Sequence, residues 1–132
     1  MNIKSSQVLV KEASKEIQTL NANEVKKLLD KNEITLIDIR DIREIWKEGT
    51  PKNSIHIPRG MLEFWLDPES TYFKEKKIQN IKKMVLFCAL GMRSALATKS
   101  LQDMGFKNVS HIEGGFDALK KTGIEVVKKE KK

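Results

Sequence analysis

Cysteine is almost missing from this chain: Cys88 is the only one in 132 residues. One thiol cannot close an internal disulfide, so nothing in the sequence asks for an oxidising compartment. Long apolar runs are missing too. None approaches the ~18 residues of a membrane span, and Val8 to Val10 is too short for the core of a secretory signal. The expectation is a cytoplasmic protein with no membrane partner. Histidine occurs only at His56 and His111; with a single cysteine this lacks the ligand spacing of a metal site, so no metal is expected. Aromatic residues make up 6%, and the lysines are spread along the whole chain without alternating with them. The formal charge of +7 therefore reads as a solvated surface, with no nucleic-acid partner. Arginine is scarce. Arg40, Arg43, Arg59 and Arg93 sit beside motif-like features and are better placed than the lysines for specific anion contacts. Internal repeats, linkers and low-complexity blocks are absent.

What remains is a chain 39% hydrophobic and 33% charged, long enough for one domain with a real core. Leu9, Ala13 and Ile17, with Val8 and Val10 alongside, space an amphipathic helix over 5–18. This helix packs on the domain as an extension or serves a partner. Ile17–Leu20 reads as a short edge strand. Asn21 then caps a helix, with Glu24 in the capping-box position and Val25, Leu28 and Leu29 on its buried face. Ile34–Ile39 is a β-branched run of the kind that forms a buried parallel strand. A short helix is expected over Arg40–Lys47, broken at Gly49-Thr50-Pro51. A strand follows at Ser54–Ile57, then a helical turn or two over Arg59–Leu66. Residues 69–83 read as a loop plus one helix, with Tyr72, Phe73, Ile78 and Ile81 as its apolar positions. Asn108–Ile112 is the last strand. Gly114-Gly115 opens a final helix that stops near Gly123, Ile124–Val127 packs back, and Lys128–Lys132 is a frayed basic tail. Strands and helices alternate, so the fold class is α/β, with a mainly parallel sheet covered by helices on both faces.

The chain is organised around residues 84–105. The apolar run Met84–Phe87 leads to Cys88, a loop with Gly91 and Arg93 follows, and a small-residue helix runs to Gly105. A thiol at the carboxyl end of a strand stands where parallel α/β folds put their chemistry. Taken alone, a buried cysteine is a small hydrophobe. Here small residues let the loop turn successive N–H groups inward as an anion nest, the helix adds its positive end, and Arg93 adds a full charge. All three favour thiolate over thiol, which makes Cys88 the expected nucleophile. Either histidine could be folded against it to make a Cys–His hydrolase, or each is a hydrogen-bonded structural residue. A thiolate that attacks sulfur needs no base.

Cys88-Ala-Leu-Gly-Met-Arg-Ser94 resembles the active-site loop of the rhodaneses, the thiosulfate sulfurtransferases. That family's pattern is cysteine, two residues, glycine, one residue, arginine, then serine or threonine. Asp38-Ile39-Arg40 with Glu44 resembles the family's first signature, His56-Ile57-Pro58-Arg59-Gly60 the second, and Glu113-Gly114-Gly115-Phe116 the carboxyl-terminal one. The likeness covers roughly residues 17–122 in family order. It implies a five-stranded, mainly parallel sheet, a domain over 17–127, a helical extension over 1–16 and a basic tail over 128–132. Carried over by position, Cys88 accepts the sulfur. The amides of Ala89, Leu90, Gly91, Met92, Arg93 and Ser94 hold the substrate, and Arg93 steadies the loop. Asp38, Arg40 and Glu44 are structural supports, and Arg59 stands at the pocket mouth. No cofactor is implied. The partners are a small anionic donor (thiosulfate or a persulfide) and a thiol or protein acceptor.

The chain departs from the family at Asn53-Ser54, where a glycine-alanine pair is usual, and at the uncharged Ala89-Leu90, which weakens thiosulfate as the natural donor. Glu63–Pro68 suggests an aromatic helix near the mouth, with Phe64 or Trp65 alternatively in the core. The expected activity is sulfur transfer through a Cys88 persulfide. The alternatives are a non-turnover sulfur carrier docked through 5–18, or a phosphatase or arsenate reductase on the same fold. Against the last, four residues separate Cys88 from Arg93, whereas the phosphatase pattern has five.

Overall fold

A computed structural model describes residues 2–76, 81 and 83–131. Its strands are β1 (Gln18–Leu20), β2 (Ile34–Asp38), β3 (Thr50–Pro51), β4 (Ile55–His56), β5 (Lys83–Phe87), β6 (Val109–Ile112) and β7 (Val126–Val127). Its α-helices are α1 (Ser6–Ser14), α2 (Ala22–Asp30), α3 (Ile42–Glu48), α4 (Leu62–Leu66), α5 (Thr71–Lys76), α6 (Met92–Met104) and α7 (Gly115–Lys121). A single 3-10 turn at Arg59–Met61 leads into α4. The main sheet has the order β1-β6-β5-β2-β4, and all four of its pairings are parallel. No helix of the described residues is long and apolar enough to cross a membrane.

The alternation of side chains along β5 divides the core in two. Met84, Leu86 and Cys88 join Ile37, Ile39, Leu62, Leu66, Ala97, Leu101 and Val109 on the side covered by α4 and α6. Val85 and Phe87 join Leu20, Val25, Leu36, Ile112, Phe116 and Leu119 on the side covered by α2 and α7. Cys88 thus continues the inward phase of its strand, buried to 1% exposure at the carboxyl end of the central strand.

Local chemistry explains the boundaries. The Asn21–Glu24 capping box forms as the sequence predicts. The helix expected over Arg40–Lys47 starts later, at Ile42, because Asp41 caps it and Glu44 closes a second capping box; such a cap contributes about 1 kcal/mol. Arg40 is thereby left out of the helix and turned into the core. The amino-terminal helix ends at Ser14, shorter than its apolar spacing implies, and its Ala13 is buried where α1 packs on α6. The break at Gly49-Thr50-Pro51 becomes β3, which pairs antiparallel with β7 and so anchors the returning carboxyl-terminal segment. Beyond β7, Lys131 Nζ lies 5.6 Å from the centre of the Trp46 ring, a cation–π contact. Asn53 takes φ 68°, a left-handed conformation that asparagine adopts more readily than most residues, so the turn before β4 forms without the usual glycine. Ser54 Oγ donates to the Pro51 carbonyl at 2.8 Å and closes that turn. Residues 71–76 form the expected helix of the 69–83 segment, while Ile78 lies outside the described residues.

Candidate active site

The loop between β5 and α6 wraps the Cys88 sulfur. Gly91 at φ 108° gives the sharp entry to α6, a left-handed conformation that suits glycine. The Gly91 N–H donates to Cys88 Sγ at 3.1 Å and the Ser94 N–H at 3.4 Å. Ser94 Oγ lies 3.5 Å from the same sulfur. The outward side of the loop is tied down as well. The Cys88 carbonyl accepts from the Phe116 N–H at 2.8 Å, and the Ala89 carbonyl from the Asp117 N–H at 3.2 Å. With its carbonyls held by α7, the loop keeps N–H groups free for the sulfur. Gly115 makes this possible. It sits at φ 58°, and a Cβ there would run into the carbonyls of Cys88 and Ala89.

Side chains secure the loop from the other flank. Arg93 donates to both oxygens of Glu44, at 2.9 and 3.0 Å. This pairing lowers the Glu44 carboxyl below the ordinary carboxylate range. It also raises the Arg93 guanidinium, with the Cys88 sulfur a lesser cause. At the carboxyl end of β2, Asp38 and Arg40 are both fully buried and paired: Arg40 Nε donates to Oδ1 at 2.9 Å and Nη2 to Oδ2 at 2.8 Å. Arg40 also reaches the Gly49 carbonyl at 2.7 Å, and Thr50 Oγ1 donates to Asp38 at 2.8 Å. Its guanidinium carbon stands 4.1 Å from the Phe116 ring centre and 5.9 Å from that of Phe87. The Phe116 ring follows the glycine pair that abuts the Cys88 loop, so the buried ion pair supports the segment on which the loop rests.

Of the residues expected at the site, Cys88, Gly91 and Ser94 meet at the sulfur, and Arg93 with Glu44 clamps the loop. Ala89 lies behind, held through its carbonyl, while Leu90 and Met92 point outward at 68% and 51% exposure. Arg59 is directed elsewhere. It donates to Glu63 at 2.9 and 3.0 Å, and Glu63 in turn accepts from Ser100 of α6. The two aromatics of α4 divide their roles: Trp65 packs on the core and Phe64 is 57% exposed. Of the histidines, His56 accompanies the Arg40 carbonyl at 2.7 Å, whereas His111 Nδ1 lies 3.0 Å from Ser94 Oγ. Its other nitrogen is 3.1 Å from Thr19 Oγ1. Thr19 carries no local signal in the sequence; it reaches the site only because β1 pairs with β6.

The family model of the rhodanese-like domain matches residues 21–122. The chain belongs to the rhodanese-like domain family. Among solved structures it is similar to a protein of unknown function from Rhodopseudomonas palustris, described as a possible tyrosine phosphatase. The two are 42% identical over 96% of this chain and 97% of that one, with a TM-score of 0.87. It is also similar to the polysulfide-sulfur transferase homodimer of Wolinella succinogenes, at 34% identity over 93% of this chain and 87% of that one, with a TM-score of 0.71. A curated relative, the tRNA uridine(34) hydroxylase of Hamiltonella defensa, is 37% identical over 98 residues. The match takes in 74% of this rhodanese-like chain and only 26% of the hydroxylase.

Proposed function

We propose that this rhodanese-like chain is a sulfurtransferase that moves a sulfane sulfur through a Cys88 persulfide. The observation that carries the reading is the convergence of the Gly91 N–H, the Ser94 N–H and the Ser94 hydroxyl on one sulfur atom. This happens inside a loop with four residues between Cys88 and Arg93. Such a cradle suits a thiolate and, one bond further out, a single terminal sulfur. In the first step the Cys88 thiolate attacks the outer sulfur of the donor. An S–S bond to Cys88 forms, the donor's own bond to that sulfur breaks, and sulfite or a thiolate leaves with the electron pair. In the second step a thiophilic acceptor attacks the terminal sulfur and Cys88 departs as thiolate. The exchange is covalent and two-step, so ping-pong kinetics are expected.

The donor is a small anionic sulfane-sulfur compound, thiosulfate or a persulfide, and the acceptor a thiol or a protein thiol. Exposed Leu90 and Met92 on the loop favour a persulfide or polysulfide over thiosulfate, since they bring no extra charge for sulfite oxygens. The likeness to the polysulfide-sulfur transferase of W. succinogenes points the same way. In this reading Asp38, Arg40 and Glu44 support the loop, Arg59 is neutralised by Glu63 and takes no part at the sulfur, and the compartment is the cytoplasm. The test is mass spectrometry of reduced, folded protein exposed to thiosulfate or to polysulfide, with Cys88→Ser as control. One sulfur atom added at Cys88 is expected; no addition from either donor overturns the reading.

A second reading, phosphate-ester hydrolysis at Cys88, is favoured by the description of the R. palustris protein. A tetrahedral phosphate needs more amides around it than this loop turns inward. Aryl-phosphate hydrolysis that is lost in Cys88→Ser would put this reading first.

A further inference from the structure

Cys88 is 1% exposed, and its thiol must lose a proton before the sulfur attacks. A bound donor would close the mouth of the loop, and the sulfur has hydrogen-bonded company on its inner side. From Sγ the line runs 3.5 Å to Ser94 Oγ, 3.0 Å on to His111 Nδ1, and 3.1 Å from His111 Nε2 to Thr19 Oγ1. Ser94 is fully buried and His111 is 4% exposed, whereas Thr19, on edge strand β1, is exposed to solvent. The line therefore passes from the buried thiol to the open side of the sheet.

We propose that Ser94, His111 and Thr19 form a proton wire between the Cys88 sulfur and solvent, and that the His111 tautomer switches with the protonation state of Cys88. The inference rests on Cys88 as the working thiol but not on any particular sulfur donor. In the thiol state the Cys88 S–H donates to Ser94 Oγ, the Ser94 O–H to Nδ1, and the Nε2–H to Thr19 Oγ1. Ionisation reverses every bond. The Cys88 proton passes to Ser94 Oγ as the former Ser94 proton passes to Nδ1. The Nε2 proton then passes to Thr19 Oγ1, whose own hydroxyl proton goes to water. The balance is thiol plus water to thiolate plus hydronium, with no redox change. At the end the Thr19 O–H donates to Nε2, the Nδ1–H to Ser94, and the Ser94 O–H to the thiolate. Both end states satisfy every group on the line, and the imidazole is neutral in each.

The surroundings fit a neutral imidazole. His111 lies in register with Thr19 of β1 and Leu86 of β5, and Ser94 of α6 covers it. The charged groups on these elements are engaged or remote. Arg93 holds Glu44, Lys99 pairs with Asp103 and Glu16, and Lys83 stands three residues from Leu86 at the amino end of β5. Burial alone lowers the basicity of His111. His111 acts through Ser94, so it is a positioning residue.

The test is ¹⁵N NMR of the imidazoles in the full chain across pH, with His56→Gln to assign the His111 signals. Iodoacetamide alkylation of Cys88 is followed over the same range. The expected result is Nε2–H while Cys88 is a thiol and Nδ1–H once it is alkylated readily, with no such switch in Cys88→Ala. Thr19→Val keeps a β-branched residue at an exposed strand position, so folding is retained where a His111 variant could fail. It removes a bond that is stronger when the line ends on a thiolate charge, so alkylation at neutral pH should slow about threefold, and Thr19→Ser should restore the rate. One unchanging tautomer through the Cys88 titration, or a Thr19→Val profile that superimposes on the parent's, overturns the wire. Neither measurement involves a sulfur donor, so failure of persulfide formation and failure of the wire are told apart.

Discussion

The carboxyl ends of β5 and β2 lie side by side in the sheet, yet they are built by different means. After β5, the Cys88 loop is held mainly by backbone. N–H groups point at the sulfur, carbonyls are tied to α7, and Gly91 and Gly115 supply conformations and clearance that no side chain permits. After β2, the corner is held by side chains: the buried Asp38–Arg40 pair, Thr50, and Glu44 reaching across to Arg93. Backbone cradles leave side chains free to vary, and Leu90 and Met92 accordingly face solvent. A buried charge pair leaves no such freedom, because either partner alone is a desolvated charge.

Breaking the β2 side should therefore cost the most stability. Asp38→Asn keeps the shape and strands the Arg40 guanidinium in the core; a loss of about 3–5 kcal/mol is expected, read from the urea midpoint. A loss within ~0.5 kcal/mol, the usual effect of an innocuous surface change, would show the pair to be dispensable. On the β5 side, the sensitive point is a glycine. Gly115→Ala meets the Cys88 and Ala89 carbonyls at a positive φ, and about 1–3 kcal/mol of strain is expected, together with slower Cys88 alkylation as the loop shifts. Unaltered stability and alkylation would mean that the loop does not depend on that close approach.

The clamp between the two regions is half exposed and should matter less. Glu44 titrates below its ordinary value because Arg93 is bonded to it. The clamp's contribution is thus complete above about pH 4.3, the ordinary glutamate value, and is lost as pH falls through the lower folded value. Glu44→Gln should lower stability by no more than about 1 kcal/mol at neutral pH and flatten this acid-side dependence in denaturation measured from pH 6 downward. The smallest effect should come from Leu90→Arg, within about 0.5 kcal/mol of the parent in stability. It should increase the rate with thiosulfate relative to polysulfide, read as the ratio of kcat/KM values. A large stability loss there would contradict a backbone-held loop.

The sequence by itself determined the alternation of elements, the thiol at the end of an apolar strand, and the four-residue spacing to Arg93. These are local properties: apolar periodicity, capping residues and loop length act within a few positions of one another, so they are legible without a fold. The resemblance to the rhodaneses rested on that same local material and extended it to Glu113-Gly114-Gly115-Phe116, whose reason is the contact with the Cys88 carbonyl. Tertiary structure decided the rest. It paired Arg59 with Glu63, divided Phe64 from Trp65, paired Thr50–Pro51 with the carboxyl-terminal segment, and turned Arg40 from a helix position into the core. It also brought His111 to Ser94, 17 positions away, and to Thr19, 92 positions away. No local pattern encodes such meetings, because they follow from strand order: β1 lies beside β6, and β6 beside β5. That order is chosen by the burial of two apolar faces at once, a property of the whole chain.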